Sequence, residues 1–492
     1  MALINVTNLT FQYEGSYDTI FENVSFQIDT SWKLGLIGRN GRGKTTLLKL
    51  FMNEYEYSGN ISGDIIFDYF PFTIQNEAKR TIEIVNEMYP KYIYWQLVRE
   101  LSLLALDENI LNQEYKKLSF GEQTKVMLAV LFLKSEHFLL IDEPTNHLDM
   151  EARKLVADYL KSKSGFILVS HDRSFLDDCV DHILAINKTN IEIVQGNFSS
   201  WYTNKINQDN LEQSKNEKLK KEITRLEKAS IEKKKWSDKL EKTKYNTRIA
   251  GLRPDRGYIG HKSAKLMKRA KVLETRSEKA ILEKQSLLQN VESKDELIIS
   301  TLEYYSDHLV TFDKVSIFYN ERMICNDVSF TINQSDRVAI RGRNGTGKTS
   351  IIKLLLQEEI KFRGFIDIGS NLMISYVSQS TDNLQGSLSD YATKYQIDES
   401  LFKAILRKLD FSRVQFEKDM ASFSEGQKKK VLIARSLSEK AHLYVWDEPL
   451  NFIDVISRMQ IEELILKFKP TILFVEHDKT FCEKIATKIV AL

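Results

Sequence analysis

At 492 residues the chain is long enough for two or three domains, each with its own core. With 42% hydrophobic and 28% charged residues, few prolines and no low-complexity tract, its composition excludes fibrous and disordered classes. The net charge of +2 hides an imbalance: residues 215–271 hold 20 Lys/Arg against 7 Asp/Glu, a local +13, so the rest sums to −11.

In chain order, Ile4 to Phe11 and Val24 to Ile28 alternate apolar and polar residues as half-buried strands do. Leu34-Gly-Leu-Ile-Gly38 is a short apolar run ending in glycine, a buried strand feeding a loop, and Thr45 to Met52 reads as a helix. Strand, glycine loop and helix in that order fit an α/β core whose ligand lies beyond the strand ends. Ile84, Met88, Leu97, Leu101 and Leu104 place a smaller helical subdomain between Pro71 and Ser119. The start, Met-Ala-Leu-Ile-Asn-Val-Thr, has neither the basic region nor the apolar core of a signal peptide. No apolar run approaches the ~18–20 residues that span a bilayer. Cys179, Cys325 and Cys482 are far apart and form no CxxC, as expected of reduced thiols in a cytoplasmic protein; they exclude iron–sulfur and Cys-rich zinc modules.

The chain repeats itself. Gly38-Arg-Asn-Gly-Arg-Gly-Lys-Thr45 recurs as Gly342-Arg-Asn-Gly-Thr-Gly-Lys-Thr349, at an offset of 304. Leu118-Ser-Phe-Gly-Glu-Gln123 recurs at Phe423, Leu139-Leu-Ile-Asp-Glu-Pro144 at Tyr444, and Val169-Ser-His171 at Val475, at offsets of 305 to 306. One order at one spacing marks a duplication. The expected domains are 1–203, an insert over 204–302, and 303–492, which ends just after a final apolar strand without a tail.

GxxxxGK[ST] turns backbone N–H groups and a helix N-terminus toward phosphates. The loops Gly38, Asn40, Gly41, Gly43, Lys44, Thr45 and Thr46, and Gly342, Asn344, Gly345, Gly347, Lys348, Thr349 and Ser350, are therefore candidate ATP cradles. Lys44 and Lys348 would reach the β/γ-phosphates, and Thr45 and Thr349 would ligate Mg²⁺. Asp142 and Asp447, ending apolar strands, are candidates for the Mg²⁺ shell. Glu143 and Glu448 are candidates to polarise the attacking water.

These motifs resemble ATP-binding-cassette (ABC) domains. The resemblance makes Ser119, Gly121 and Glu122, and Ser424, Gly426 and Gln427, parts of signature sequences that cap the nucleotide held by the other cassette. His147-Leu-Asp149 and Phe452-Ile-Asp454 match the D-loop, His171 and His477 the switch histidine, and Tyr13 and Tyr319 the adenine-stacking aromatic. Gln379 matches the glutamine that contributes to the metal site. Where the second copy has Gln379, the first has Phe72, with Gln75 three residues on, and a phenyl ring cannot ligate Mg²⁺. The second signature carries Phe423 and Glu425, and a carboxylate beside a γ-phosphate repels it unless it points away. Two unequal sites are the expectation.

Within the insert, Leu219, Ile223 and Leu226, then Ala270, Leu273, Ser277, Ala280, Lys284, Leu287 and Val291, keep a 3–4 spacing. Residues 244–261 break it with glycines and a proline. The expectation is a long antiparallel two-helix (coiled-coil) linker with limbs of about 50 Å, from about 35 residues at 1.5 Å each. Its unbalanced positive charge, interleaved with Trp236, Tyr245 and Tyr258, suits a polyanion, with stacking on bases. A solvated spacer would balance its charges.

Two tandem cassettes, no membrane domain and a basic helical linker resemble the ABC-F family, which acts on ribosomes. Glu143-Pro-Thr-Asn-His-Leu-Asp149 and Trp446-Asp-Glu-Pro-Leu-Asn451 look like its Lsa-type antibiotic-resistance subgroup. The resemblance implies a monomer with intramolecular cassette pairing that enters the exit site of the 70S ribosome when ATP-bound. The linker would then point toward the peptidyl transferase centre of 23S rRNA, displace the P-site tRNA end and dislodge lincosamides, streptogramin A compounds or pleuromutilins. Lys244, Tyr245, Leu252, Arg253, Pro254 and Tyr258 are the tip residues expected to reach. Other readings are a general translation factor for stalled ribosomes, the ATPase half of a drug exporter, and a DNA-structure-binding ATPase.

Overall fold

The computed structural model describes residues 2–14, 19–134, 137–146, 148–187, 190–211, 214, 257, 261, 264, 265, 268, 272, 301–319 and 322–492. The two-helix linker and tip expected over 204–302 lie almost wholly outside these residues, and Lys244, Tyr245, Leu252, Arg253, Pro254 and Tyr258 lie outside them entirely, as does His147. There are two compact units, Met1–Ser199 with Asp295–Leu492, and Ser200–Lys294. In the second unit, residues 200–211 are helical. Among the described residues no helix is long and apolar enough to cross a membrane.

The first unit holds both copies. In the first, β1 (Leu3–Gln12), β2 (Thr19–Asp29) and β4 (Ser58–Ser62) form an antiparallel sheet in the order β2-β1-β4. The alternation expected from Ile4 to Phe11 is interrupted. Ile4 and Val6 are buried, then Leu9 and Phe11, and the register with β2 shifts between Val6 and Leu9, where Asn8 takes φ 52°. A bulge thus keeps both apolar pairs on the core face.

The second sheet of that copy holds β3 (Lys33–Gly38), β5 (Ile66–Phe70), β6 (His137–Asp142), β7 (Phe166–Val169), β8 (His182–Ile186) and β9 (Ile191–Gln195), in the order β5-β6-β7-β3-β8-β9. All neighbours pair parallel except β8 and β9. Leu34, Leu36, Leu140, Ile167 and Val169 are buried together with Leu47, Leu48 and Leu50 of α1 (Lys44–Phe51), so the runs are apolar rather than alternating. α2 (Thr81–Met88) and α3 (Tyr94–Leu103) form the expected helical subdomain, followed by α4 (Phe120–Leu131), α5 (Met150–Lys161) and α6 (Arg173–Cys179).

The second copy repeats the plan. β10 (His308–Tyr319), β11 (Arg322–Asn333) and β13 (Lys361–Ile368) form the order β11-β10-β13. β12 (Arg337–Arg341), β14 (Ile374–Val377), β15 (Leu443–Asp447), β16 (Ile472–Val475) and β17 (Lys488–Ala491) form β14-β15-β16-β12-β17. Its helices are α7 (Lys348–Leu355), α8 (Leu388–Lys394), α9 (Glu399–Lys408), α10 (Glu425–Ser438), α11 (Val455–Phe468) and α12 (Lys479–Ile485).

Candidate nucleotide sites

Each glycine-rich loop leaves the tip of β3 or β12 and enters α1 or α7 through a left-handed glycine, Gly43 at φ 87° and Gly347 at φ 93°. A Cβ on Gly43 would lie 2.9 Å from the ring of Phe21. Gly41 and Gly345 are also left-handed, but a Cβ there would meet nothing within 4 Å, so these loops face open space. Lys44 Nζ donates to the Gly38 carbonyl at 2.8 Å, and Lys348 Nζ to those of Gly342 and Arg343, both at 2.9 Å.

In the first copy Thr45 Oγ1 donates to Asp142 Oδ2 at 2.8 Å, and the Tyr69 hydroxyl donates to the same oxygen at 2.9 Å. Burial, then the charge of Asp142, pushes the Tyr69 hydroxyl far above its usual range, so it stays a donor. Glu143 follows in the left-handed region at φ 51°, a costly conformation for a glutamate and one that clusters at functional sites. Neither of its buried oxygens has a hydrogen-bond partner among the described residues. Burial and the charge of Asp142 push its carboxyl up to about 7. His171 Nε2 lies 3.2 Å from Glu143 Oε1, and burial followed by the charge of Lys44 drives the imidazole well below its usual range, to the neutral form.

The second copy is built differently. Glu448, at φ 46°, accepts from Gln379 Nε2 at 3.0 Å and from Asn451 Nδ2 at 2.7 Å, with His477 Nε2 at 3.6 Å. Burial alone would raise its carboxyl; His477 and the two amides outweigh it and hold it at about 2. Asp447 is fully buried with both oxygens unpartnered among the described residues, and burial with the charge of Glu448 pushes it up to about 6.

Phe72 and Gln75 account for the missing counterpart of Gln379; Asn146, the counterpart of Asn451, is present but makes no hydrogen bond to the Glu143 carboxylate. Phe72 and Gln75 are exposed, and among the described residues no side-chain amide from that loop reaches Glu143. Tyr69 takes up Asp142 instead. The sequence does not single out Tyr69, because its counterpart Tyr376 occupies the same register and only the fold shows which hydroxyl reaches a carboxylate.

The signature serines cap α4 and α10: Ser119 N–H donates to Glu122 at 2.8 Å and Ser424 N–H to Gln427 at 3.0 Å. Glu425 accepts from the Thr381 hydroxyl and pairs with Lys428 at 3.2 Å, so its carboxylate is engaged within its own copy. Phe423 is buried edge-on against Phe411 at 5.6 Å. Tyr13 is tied through its hydroxyl to Thr46 Oγ1 at 2.7 Å and is 38% exposed; Tyr319 is 42% exposed.

The copies meet head to tail. Asn40 of the first loop donates through Nδ2 to the Phe452 carbonyl at 2.7 Å and through its N–H to Asp454 Oδ2 at 3.3 Å. Arg42 donates to Asp410 at 3.2 Å. Gly426 sits so close that a Cβ would fall 2.4 Å from Asn40 Nδ2. Asp454 caps α11 through Ser457 N–H at 2.9 Å and pairs with Lys430 at 2.8 Å. Although burial opposes ionisation, Lys430 and Lys44 hold this carboxyl far below the usual range. Behind the loops, Arg173, two residues beyond His171, grips both oxygens of buried Glu462 on α11. On the opposite side Arg343 pairs with Glu151 at 2.7 Å on an exposed surface. Of these interlocking partners, Phe452 and Asp454 stand out in sequence as the D-loop, whereas Glu462 and Asp410 do not.

A domain model described as "ABC transporter" matches residues 21–146 and 325–451. The chain is 27% identical over 490 residues to the ribosome protection protein VmlR of Bacillus subtilis, covering 98% of this chain and 85% of that one. It is 28% identical over 519 residues to the ATP-binding protein Uup of Buchnera aphidicola, covering 99% and 80%. Among solved structures, the archaeal ribosome recycling factor aABCE1 in complex with the stalk protein aP1 superposes with a TM-score of 0.63 at 18% identity, over 98% of this chain and 87% of that one. That likeness concerns the tandem fold.

Proposed function

Because the chain belongs to the ABC family of ATPases and carries two of its domains, we propose that it is a ribosome-binding ATPase that protects the ribosome from antibiotics acting at the peptidyl transferase centre. Its reaction is hydrolysis of ATP to ADP and phosphate, and its residues suggest how each part is performed. The open faces at Gly41 and Gly345 leave room for a triphosphate, and Lys44 and Lys348 need only release loop carbonyls to meet it. The unpartnered oxygens of buried Asp447, with Thr349, fit a divalent cation, as do Asp142 and Thr45. Mg²⁺ held there would neutralise charge on the β- and γ-phosphates. Glu448, ionised and aimed by Gln379 and Asn451, is suited to orient water and accept its proton; Glu143 is suited to the same task but lacks amide partners. His171 and His477 flank these carboxylates.

In this reading nucleotide binding at the paired cassettes sets the ribosome-bound state, and the basic insert is the part that reaches rRNA and the P-site tRNA end. What carries it is the match along 98% of the chain to a ribosome protection protein, joined to an insert of net charge +13 between the cassettes. Lincosamides, streptogramin A compounds and pleuromutilins are the drug classes proposed. The test is co-sedimentation with 70S ribosomes of the Glu143→Gln/Glu448→Gln variant with ATP. Retention in the ribosomal pellet at moderate salt is expected; a protein that stays in the supernatant with and without ATP would refute it.

A further inference from the structure

Glu448 is aimed by two amides, and each amide belongs to a loop held by a buried polar side chain. On one side stands Lys429 of α10, fully buried. Its ammonium donates to the Ser378 carbonyl and to the main-chain carbonyl of Glu448, both at 3.1 Å. Ser378 precedes Gln379, whose Nε2 reaches the Glu448 carboxylate. One group thus spans the loop that carries the amide and the residue that accepts from it. On the other side stands buried Glu476, between β16 and His477. Its Oε1 accepts from Leu450 N–H at 2.7 Å and its Oε2 from His477 N–H at 3.1 Å. Leu450 precedes Asn451, the second amide on Glu448, and His477 is the imidazole beside that carboxylate.

Burying a lysine and a glutamate is costly unless each is hydrogen-bonded or paired, and apolar residues fill such space at no greater cost. Burial works against the Lys429 charge, and the carboxylates of Glu476, Glu448 and Asp447 support it. The first copy dispenses with both residues. At the motif offsets of 305 and 306, Thr124 stands at the Lys429 position and Ser170 at the Glu476 position. Ser170 meets the Thr145 hydroxyl at 3.3 Å, where the second copy has Leu450 N–H on Glu476. In that first copy no amide reaches Glu143 among the described residues, although Asn146 occupies the Asn451 position. An amide of the right type at the right place does not suffice; the loop that carries it must be held.

We propose that Lys429 and Glu476 are positioning residues of the second ATPase site, holding the Gln379 and Asn451 loops so that both amides aim the Glu448 carboxylate. The proposal rests on the reading of Glu448 as the group that orients water. Lys429 and Glu476 act only through the two loops. Misplacing a catalytic group by about 1 Å costs up to about 10²-fold in rate. Loosening either loop should therefore lower kcat and leave ATP binding, the task of the glycine-rich loop, nearly as it was.

The experiment installs the first copy's residues in the full-length protein. Lys429→Thr and Glu476→Ser are assayed for steady-state ATP turnover in the wild type and in the Glu448→Gln background, with Glu448→Gln alone beside them. In the wild type each should lower kcat at least about tenfold, with KM for ATP kept within about threefold. In the Glu448→Gln background no carboxylate is left to aim, and each should change kcat less than about twofold. Equal losses in both backgrounds, or a loss that lies in KM, would mark the two residues as ordinary core groups and overturn the proposal. Failure of both variants to fold would do the same. So would unchanged kcat in either single variant when Glu448→Gln alone shows its loss. Unchanged kcat in Glu448→Gln itself would instead refute the reading of Glu448 on which the proposal stands.

Discussion

Glu143 and Glu448 occupy one position of a duplicated fold in opposite surroundings. Two amides and a histidine keep Glu448 ionised and aimed, whereas burial beside Asp142 with no hydrogen-bond partner among the described residues leaves Glu143 at about 7. A positioned base contributes about 10²–10⁴ in rate, so removing the better-aimed one should cost more. Glu448→Gln should lower steady-state ATP turnover at least tenfold, and Glu143→Gln distinctly less; equal losses would contradict the assignment of unequal sites. Asp454 lends itself to a pH test. Its folded-state value is depressed by Lys430 and Lys44, so its contribution to stability is fully present above the unfolded value of about 3.9 and declines as pH falls below it. Chemical denaturation should find Asp454→Asn less stable by about 3–5 kcal/mol at neutral pH, the penalty of breaking a buried pair, with the gap narrowing below about pH 4. The loops, Asp142, Asp447 and both glutamates are legible as motifs. Tyr69 on Asp142, the orphaned oxygens of Glu143 and the turn of Glu425 toward Thr381 are not, because each depends on which rotamer a crowded neighbour permits.

Strands and helices are legible nearly as they fold wherever one period holds without interruption. Leu34 to Gly38 and the helix after Lys44 are examples. β1 is not a simple alternation, since the bulge at Asn8 shifts the apolar face by one residue, and no local signal distinguishes it from a loss of pattern. Pairings between residues 289 positions apart, such as Arg173 with Glu462, are invisible to any local pattern. That pair joins α6, which follows His171, to α11, which begins after Asp454. Arg173→Met should leave Glu462 buried with only Lys484 at 3.7 Å and destabilise by about 3–5 kcal/mol. Arg173→Met with Glu462→Leu should recover most of that loss, as apolar replacements of whole buried pairs do. Urea denaturation of the two variants beside the wild type measures it.

Across the molecule, duplication and charge division are visible at once: residues 215–271 carry +13 and the remainder −11. Pairing of the copies is expected from the resemblance, but the individual bonds that seal it are not, because Asp410, Phe452 and Asp454 become partners of Asn40 and Arg42 in the first loop only after both halves fold. Binding to rRNA through the insert predicts steep salt dependence from released counterions. Replacing Lys233, Lys234 and Lys235 by Ala should weaken co-sedimentation and flatten the slope of log affinity against log salt by about 0.7–0.9 for each phosphate that is no longer neutralised. The proposed protection works by ATP-dependent expulsion of drug. The direct measurement is release of labelled lincomycin from 70S ribosomes by the Glu143→Gln/Glu448→Gln protein. With ATP the bound label should fall in proportion to protein added, and without ATP it should stay. Undiminished lincomycin on ribosomes saturated with the ATP-loaded protein would contradict the account.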